Sequence, residues 1–364
     1  MKLSDFDYNL PSEMIAQRPA SPRDSSKLML VDYKSKKIGN HIFKELPDFL
    51  EKGDILVFNN TKVFPARLWG KREIYFYKGS KQGGGRIQIF LLTKHSKNVW
   101  NVLVGSRRRH VGLEINFAKN FKGKLIKQID NSVWQMRFNK TGKELDNLID
   151  KYGNVPIPPY IKTPDSGSKL KQEYQTVYAK KRGSVAAPTA GFHFTKRILN
   201  KLQKKGVIFK YVTLHVGLGT FESVREKKIE DHQMHSEFGI LNKKTAQFLN
   251  KAKKNGQRII IVGTTTVRVV EAFANKNGIL KANKKWIDIF IYPGYKFKFV
   301  SNLLTNFHLP KSTLLMLVSA LAGKFLIKKA YKKAIQDKYR FYSFGDSMLI
   351  TDTNMPASRR EASE

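Results

Sequence analysis

Histidines and carboxylates are concentrated in residues 214–238, where their types and spacing suit proton transfer. The segment reads LHVGLGTFESVREKKIEDHQMHSEF. Because imidazole titrates near neutral pH, histidines beside carboxylates are the side chains that general acid–base chemistry requires. The candidates for proton transfer in this segment are Asp231, His232, His235 and Glu237.

A second polar motif, LLTNFHLPKSTLLMLVSALAG at residues 303–323, sets Asn306 and His308 just before an apolar helix predicted over residues 313–322. His308 is a further candidate for proton transfer, and His193 lies in a similar turn-like motif, PTAGFHF. The alternative for each is a hydrogen-bonded core histidine, and TNFHLP is also compatible with a simple rigid turn. Loops on a rigid scaffold are where chemistry tends to be located, which favours the functional reading for the group.

Two turn motifs are candidates for ligand contact, HVGLGTF at residues 215–221 and VGTTTVR at residues 262–268. The second opens a predicted helix, whose first turn presents unpaired backbone N–H groups together with three hydroxyls. These groups suit an anion, and Arg268 adds a guanidinium. The alternative is that one threonine merely caps the helix.

The charge of the chain predicts a polyanionic partner. Lys and Arg total 67 against 29 Asp and Glu, for a formal net charge of +38. Such a field favours nucleic acid, although a lysine-rich surface inherited from a biased genome is the alternative. The tightest basic cluster, formed by Arg107, Arg108 and Arg109, is either a set of phosphate contacts or a solvated loop tip.

The pattern of elements predicts an α/β main domain with an inserted small all-β, barrel-like domain. Short apolar or alternating runs between residues 69 and 151 read as strands, whereas strands alternate with helices after the helix-breaking segment NVPIPPY. We therefore predict a discontinuous main domain at 1–68 and 152–353, a barrel-like domain at 69–151 and a disordered tail at 354–364. Open α/β sheets bind ligands beyond the carboxyl ends of their strands, where both turn motifs fall.

Composition excludes several kinds of site. The chain has no cysteine, which rules out disulfides, thiolate nucleophiles and Cys-ligated metals. The spacing of the two histidines in HQMH is only a weak metal signal, so we expect no metal. The N-terminus lacks a signal-peptide pattern and the apolar run 313–322 is too short to span a bilayer, so we expect a cytoplasmic protein without membrane association. We also expect a monomer.

Several blocks of the chain resemble one bacterial enzyme family, the S-adenosylmethionine:tRNA ribosyltransferase-isomerases of queuosine synthesis. The blocks are AQRPASPRDSSKL, GDILVFNNTKVFPARLWG, YQTVYAKKRGSVAAPTAGFHFT, LHVGLGTF, DHQMHSE, VGTTTVRVVEA, IYPGYKF, LLTNFHLPKSTLLMLVSALAG and YRFYSFGDSMLI. They run in order from about residue 10 to residue 350. The segment between them that reads as a β domain matches nothing sharply and is assigned mainly by position.

The resemblance implies that S-adenosylmethionine is a co-substrate that donates its ribosyl group rather than its methyl group. The implied acceptor is 7-aminomethyl-7-deazaguanine at the wobble position of a tRNA with a GUN anticodon. The implied product is epoxyqueuosine, with adenine and methionine released and no metal required. Such chemistry needs a base for a ribose hydrogen made acidic by the sulfonium, and a proton or hydrogen bond for the departing adenine.

The site residues follow from the resemblance together with the motifs. Those expected to bind S-adenosylmethionine are His215, Gly217, Gly219, Thr220, Phe221, Thr264, Thr265, Thr266, Arg268 and Asn306. The arginines 107–109 are expected to contact the tRNA backbone. A cationic sulfonium also needs a local negative field, for which the acids at 222, 230, 231 and 237 are candidates. The alternative is that these acids pair with neighbouring basic residues on a solvated loop.

Two other functions are compatible with parts of the sequence. HVGLGTF is a strand followed by G-x-G, as in an S-adenosylmethionine-dependent RNA methyltransferase, but the third glycine of that fingerprint is absent. A non-catalytic RNA-binding protein would explain the charge and would leave the histidines and acids of 214–238 unexplained.

Overall fold

A nine-stranded mixed sheet forms the centre of the main domain. The computed structural model describes residues 1–73, 75–77, 80–82, 84–106, 109–158, 160–161, 168–217, 224 and 226–352. The strands, in chain order, are β1 (Lys27–Asp32), β2 (Ile38–Ile42), β3 (Ile55–Asn59), β4 (Thr61–Val63), β5 (Arg67–Arg72), β6 (Tyr75–Tyr77), β7 (Ser80–Gln82), β8 (Arg86–Lys94), β9 (Val99–Val104), β10 (Glu114–Ala118), β11 (Phe121–Gln128), β12 (Val133–Phe138), β13 (Lys181–Ser184), β14 (Ile208–His215), β15 (Glu237–Leu241), β16 (Ile259–Val262), β17 (Asn283–Ile287), β18 (Asn302–Asn306) and β19 (Ser347–Thr351). The order of the strands across the nine-stranded sheet is β17-β15-β14-β3-β16-β18-β19-β1-β2.

Helices cover both faces of this sheet. In chain order, the α-helices of the described residues are α1 (Gly142–Tyr152), α2 (Ser168–Glu173), α3 (Lys196–Lys204), α4 (Lys243–Lys254), α5 (Thr264–Phe273), α6 (Thr313–Ala322) and α7 (Lys324–Gln336). Helices α4 to α7 contribute to one apolar core, whereas α3 and the 3-10 helix Phe43–Phe49 contribute to the core on the opposite face. Because the central strands are buried on both sides, β3 and β16 read as continuous apolar runs rather than as alternating ones.

The predicted strands and helices of the main domain are confirmed. Helix α3 follows Thr195, whose side-chain oxygen accepts a hydrogen bond from the Ile198 amide. The apolar run Thr313–Ala322 is a helix whose interior residues are buried in the core. Among the helices that the structure describes, none has the length and apolar content needed to cross a bilayer.

The inserted all-β domain is a closed antiparallel barrel, as the strand pattern predicts. Its strand order is β10-β11-β12-β9-β8-β5, with β10 closing on β5. Alternating strand residues such as Ile87, Ile89 and Leu91 point inward to a core of their own, which α1 completes through Leu145 and Ile149. The fold class is thus confirmed, whereas the residue limits of the domains stay a prediction, and the tail 354–364 lies outside the described residues.

The four adjacent strands β14, β3, β16 and β18 are parallel, so their carboxyl ends meet at one edge of the sheet. The antiparallel strand β19 begins at the same edge, because Ser347 pairs with Asn306. Strand β1 runs parallel to β19 and therefore also begins there. Segments from six parts of the sequence are thereby brought to one edge.

Candidate functional site

A pocket lies at this edge of the sheet. Its walls are residues 186–190, residues 263–265 at the start of α5, and the end of β18 with His308. Val216, which directly follows β14, and Tyr342, which precedes β19, also line it. The two turn motifs predicted to lie at the carboxyl edge thus both contribute to one pocket, as the topology requires.

The threonines of VGTTTVR divide into two that line the pocket and one that does not. Thr264 and Thr265 line it, whereas the fully buried Thr266 donates its hydroxyl hydrogen to the carbonyl oxygen of Val262 at 2.5 Å. The alternative, in which one threonine caps the helix, is wrong. The N-cap is Gly263, with no side-chain capping bond and with a φ of 84°, a left-handed conformation that favours glycine.

Asn306 presents an unpaired acceptor to the pocket. The side chain is 3% exposed, and its amide nitrogen donates to the carbonyl oxygen of Tyr342 at 3.0 Å. The same nitrogen lies 3.3 Å from His193 Nε2, while Asn306 Oδ1 is buried without a hydrogen-bond partner. A buried acceptor without a partner is costly, so Oδ1 is suited to receive an N–H or O–H group from a ligand.

His193 holds Asn306 in this orientation. Since Asn306 donates to Nε2, the proton of the neutral ring is on Nδ1, which lies 2.8 Å from the Ser26 hydroxyl oxygen. The ring also stacks on Phe43. Burial, followed by the positive charges of Arg340 and Arg23, lowers the pKa of His193 to about 3. His193 is therefore a neutral positioning residue rather than a proton carrier at physiological pH.

His308 is a second neutral histidine at the pocket. It is buried, and burial lowers its pKa to about 3. Its Nε2 lies 3.2 Å from the Thr305 hydroxyl, and its backbone amide donates to the Tyr331 hydroxyl at 2.9 Å. This geometry favours hydrogen bonding to a ligand over proton uptake, so the predicted role of His308 as an acid or base stays untested.

His232 and its neighbours lie in a more exposed segment. His232 Nδ1 is 2.9 Å from Glu226 Oε2, and its ring meets the ring of Phe290 edge-on. The carboxylate fixes the tautomer, which leaves Nε2 as the nitrogen able to exchange a proton with a substrate. Asp231 and His235 are exposed.

The acids of residues 214–238 have separate partners. Glu230 forms an ion pair with the N-terminal ammonium of Met1, whereas Glu237 is buried beside the guanidinium of Arg268. Glu222 lies outside the described residues. The expected negative field of the four acids around a sulfonium stays a prediction.

Glu237 and Arg268, predicted for two different roles, form one buried ion pair. Arg268 Nη1 donates to Glu237 Oε2, and Arg268 Nη2 donates to the carbonyl oxygen of Ile287 at 3.3 Å. Glu237 Oε1 accepts a hydrogen bond from the Gly217 amide at 2.9 Å. The pair therefore connects the turn after β14 to β15, α5 and β17, a linkage that the linear sequence does not reveal.

His215 lies at the end of β14 and close to β4 and β13. Its Nδ1 is 2.9 Å from the Thr61 hydroxyl, and burial lowers its pKa. A Cβ atom at Gly183 would stand 2.7 Å from the imidazole, so glycine is what allows the backbone of β13 to approach the ring this closely.

Other predicted residues cannot be placed in this pocket. Gly219, Thr220, Phe221, Arg107 and Arg108 lie outside the described residues. Arg109 donates to the carbonyl oxygens of Val104 at 3.3 Å and of Asn131 at 2.7 Å within the barrel. Among the described side chains, no group of three or more histidines and acids is arranged to hold a metal ion.

Sequence reasoning did not include Ser26, Thr61, Glu226 or Tyr342 among the site residues. None belongs to a motif with a recognisable chemistry. The only available signal was proximity in sequence to resembling blocks, since Ser26 lies in AQRPASPRDSSKL and Tyr342 in YRFYSFGDSMLI.

The comparisons with known proteins agree along the whole chain. A family model described as queuosine biosynthesis protein matches residues 3–350. A relative from Thermoanaerobacter sp., named S-adenosylmethionine:tRNA ribosyltransferase-isomerase, is 48% identical over 355 residues, which are 96% of this chain and 100% of the relative. A protein of the same name from Desulfitobacterium hafniense is 47% identical over 352 residues, with 96% of this chain and 100% of that protein covered.

A solved structure agrees with these relatives. The crystal structure of S-adenosylmethionine tRNA ribosyltransferase from Thermotoga maritima is 34% identical in sequence and matches with a TM-score of 0.53, covering 95% of this chain and 100% of that one. The resemblance carried by the sequence blocks is therefore confirmed. The chain belongs to the queuosine biosynthesis protein family.

Proposed function

We propose that this protein is an S-adenosylmethionine:tRNA ribosyltransferase-isomerase. It transfers and isomerises the ribosyl group of S-adenosylmethionine onto 7-aminomethyl-7-deazaguanine at the wobble position of a tRNA with a GUN anticodon. The products are epoxyqueuosine-tRNA, adenine and methionine. The observation that carries this proposal is the family match over residues 3–350, supported by relatives of that name whose whole length is covered.

The pocket at the carboxyl edge is the proposed binding site for S-adenosylmethionine. Asn306 Oδ1 accepts a hydrogen bond from a donor on the cofactor, which is either the adenine amino group or a ribose hydroxyl. Thr264 and Thr265, in the first turn of α5, receive the methionine carboxylate at the positive end of the helix dipole. The neutral His308 supplies a further hydrogen bond within the same pocket.

Proton transfer is assigned to the exposed histidines rather than to the buried ones. The base takes a hydrogen from the ribose carbon beside the sulfonium, whose positive charge stabilises the resulting carbanion. Adenine then leaves with a proton or hydrogen bond, and the acceptor amine attacks the ribosyl group in its neutral form to make the new C–N bond. The C–S bond breaks later, with its electron pair going to sulfur, so that methionine leaves and the ribosyl group stays on the base. His232 suits the base because Glu226 orients its ring. His235 and Asp231 are the other candidates, and Glu237 is held in its ion pair.

S-adenosylmethionine is consumed as a co-substrate, and no metal takes part. The protein works as a monomer in the cytoplasm, where its tRNA substrate is found.

Product identity tests the proposal directly. The protein is incubated with S-adenosylmethionine and a tRNA carrying 7-aminomethyl-7-deazaguanine, with the same tRNA carrying guanine as the control. We expect adenine and methionine in equal amounts and a ribosyl adduct on the modified tRNA only. Release of S-adenosylhomocysteine would identify a methyltransferase, and tRNA binding without turnover would identify a non-catalytic RNA-binding protein.

A further inference from the structure

One end of the sheet has a buried face and an open face. Strands β14, β15 and β17 form this end, and their side chains alternate between the two faces. In β15, Glu237, Gly239 and Leu241 are buried, whereas Phe238 and Ile240 between them are only half-buried. Helix α5 covers the buried face. A Cβ atom added to Gly239 would contact Phe273, the last residue of α5, as well as Ile287 of β17.

Aromatic side chains form a row across the open face. His215 pairs with Phe238, and Phe238 pairs with Trp286, so the three are cross-strand neighbours. The rings of Phe238 and Trp286 lie 5.5 Å apart at 64°. Trp286 is 53% exposed, and the two residues before it on β17 are Lys284 and Lys285. The strand thus leaves one large apolar side chain in water beside two charged ones.

The row continues an aromatic layer that begins inside the protein. Tyr211 lies four residues before His215 on β14 and therefore on the same face, and its ring stacks on the buried Phe58 with centroids 5.8 Å apart. Tyr211 is half-buried. The layer therefore runs from the core to the outermost strand, and its outer part is open.

The open face has a basic border. Lys284 stands two residues from Trp286 on the same face of β17 and is exposed. Lys62 and Lys181 are exposed on β4 and β13, the strands next to His215. Aromatic side chains bordered by lysines are the surface that single-stranded nucleic acid prefers, because every base has a face that can stack and the phosphates between bases are anionic.

We propose that this aromatic face, consisting of Phe238, Trp286, Tyr211 and Ile240, stacks unpaired bases of the tRNA next to the base that is modified. The inference rests on the proposed function, because it takes tRNA as the substrate. The position of the face supports it: the row ends at His215, and the next residue, Val216, lines the pocket. A base that leaves its stack to enter the pocket needs its neighbours held nearby.

A second copy of the chain is a poorer occupant. Strand β17 is the edge of the sheet, and pairing of two such edges would bring Lys284 and Lys285 together with those of the other copy. The formal charge of +38 also opposes self-association through a lysine-bordered face and favours RNA.

Trp286→Ala tests the proposal, with Trp286→Tyr as the variant that preserves stacking. Stacking of one base supports a loss of roughly tenfold to hundredfold in affinity when the ring is removed. We expect this loss for Trp286→Ala in the binding of labelled tRNA and in KM for tRNA, with near-native values for Trp286→Tyr. Affinity for S-adenosylmethionine, measured by calorimetry, is expected to stay unchanged in both variants.

The matched control is Phe325→Ala, which removes a ring that is 91% exposed. Phe325 is on α7, a helix that packs against the opposite face of the sheet. It is expected to bind tRNA like the unaltered protein. Equal weakening by Phe325→Ala and Trp286→Ala, or native KM for tRNA in Trp286→Ala, would overturn the proposal. Weakening by Trp286→Ala in a protein that releases no adenine would leave the aromatic face standing and refute the proposed function instead.

Discussion

The two buried histidines at the carboxyl edge, His193 and His308, and the two histidines of the more exposed segment, His232 and His235, have different surroundings, although all four fall in turn-like sequence. Burial lowers the pKa of His193 and of His308 to about 3, so these rings stay neutral and act through hydrogen bonds. His232 is only partly buried and pairs with Glu226, while His235 is exposed. The surroundings of a histidine, and not its sequence motif, therefore decide whether it can carry a proton.

The largest effect is expected from removing an exposed histidine. His232→Ala should lower kcat by roughly 10²–10⁴, the usual contribution of a general acid or base, with an unchanged melting temperature. His235→Ala should lower it less, because Glu226 orients His232. The control is His95→Ala, which removes an exposed histidine on the barrel. Near-native turnover in both His232→Ala and His235→Ala would contradict this assignment and would indicate that a buried histidine transfers the proton.

A second large effect is expected from the buried ion pair that fixes β15. Glu237→Gln leaves the Arg268 guanidinium buried without its counter-charge, which should lower the free energy of unfolding by about 3–5 kcal/mol. Urea denaturation measures this, and the double variant Glu237→Gln with Arg268→Met should recover most of the loss. The half-exposed pair of Arg182 with Asp150 is the control, since Asp150→Asn should cost about 0–1 kcal/mol. If Glu237→Gln and Asp150→Asn lowered the free energy of unfolding equally little, the Glu237 carboxylate would be available for catalysis.

The free energy of unfolding is expected to fall in acid because of the buried histidines. In the unfolded chain a histidine takes up a proton near pH 6.5, whereas folded His193 does so only near pH 3. Stability is therefore fully present above pH 6.5 and is lost as the pH falls through that value toward 3. Between pH 7 and pH 5 the loss should be about 2 kcal/mol for each such histidine.

The measurement is the free energy of unfolding in urea at pH 7 and at pH 5. His193→Gln should show about 2 kcal/mol less pH dependence than the unaltered protein, whatever its stability at pH 7. His308→Gln should show the same reduction, because burial lowers the pKa of His308 to about 3 as well. An identical pH dependence for His193→Gln and the unaltered protein would show that His193 titrates like an exposed histidine.

The smallest effect is expected at the unpaired acceptor of the pocket. Asn306→Ala removes one hydrogen bond to the ligand, so KM for S-adenosylmethionine should rise by about threefold to tenfold. KM for tRNA should stay unchanged, because Asn306 is buried within the pocket. Ser26→Ala, which removes the hydroxyl beside His193 Nδ1, should shift the same KM less. A change confined to KM for tRNA would contradict this placement.

Much of the architecture could be predicted from the sequence, because local patterns determine it. Helix α4 and strand β16 follow from apolar spacing and from the Asn255-Gly256 stop between them. The position of the pocket at the carboxyl edge followed from the alternation of strands and helices. The barrel strands could be predicted for the same reason, because the alternation of apolar and polar residues along each strand is a local pattern.

The contacts within the site could not be predicted, because they join distant parts of the chain. Ser26 and His193 are 167 residues apart in sequence, and their contact depends on β1 beginning at the pocket edge. The pairing of Glu237 with Arg268 depends on how α5 lies on β15, which no sequence motif encodes. Burial decides the charge of His308, and burial is a property of the assembled fold.

The chain enters and leaves the barrel at one place, where Arg67 and Asn154 exchange two backbone hydrogen bonds of 3.1 and 2.8 Å. The barrel has an apolar core of its own, and in the folded protein it holds these two residues together. Closing a loop of that size would otherwise oppose folding of the main sheet by roughly 4 kcal/mol, estimated as (3/2)RT ln n for on the order of 90 residues. The insertion can therefore lengthen, shorten or be exchanged over evolutionary time with little penalty to the domain that carries the pocket.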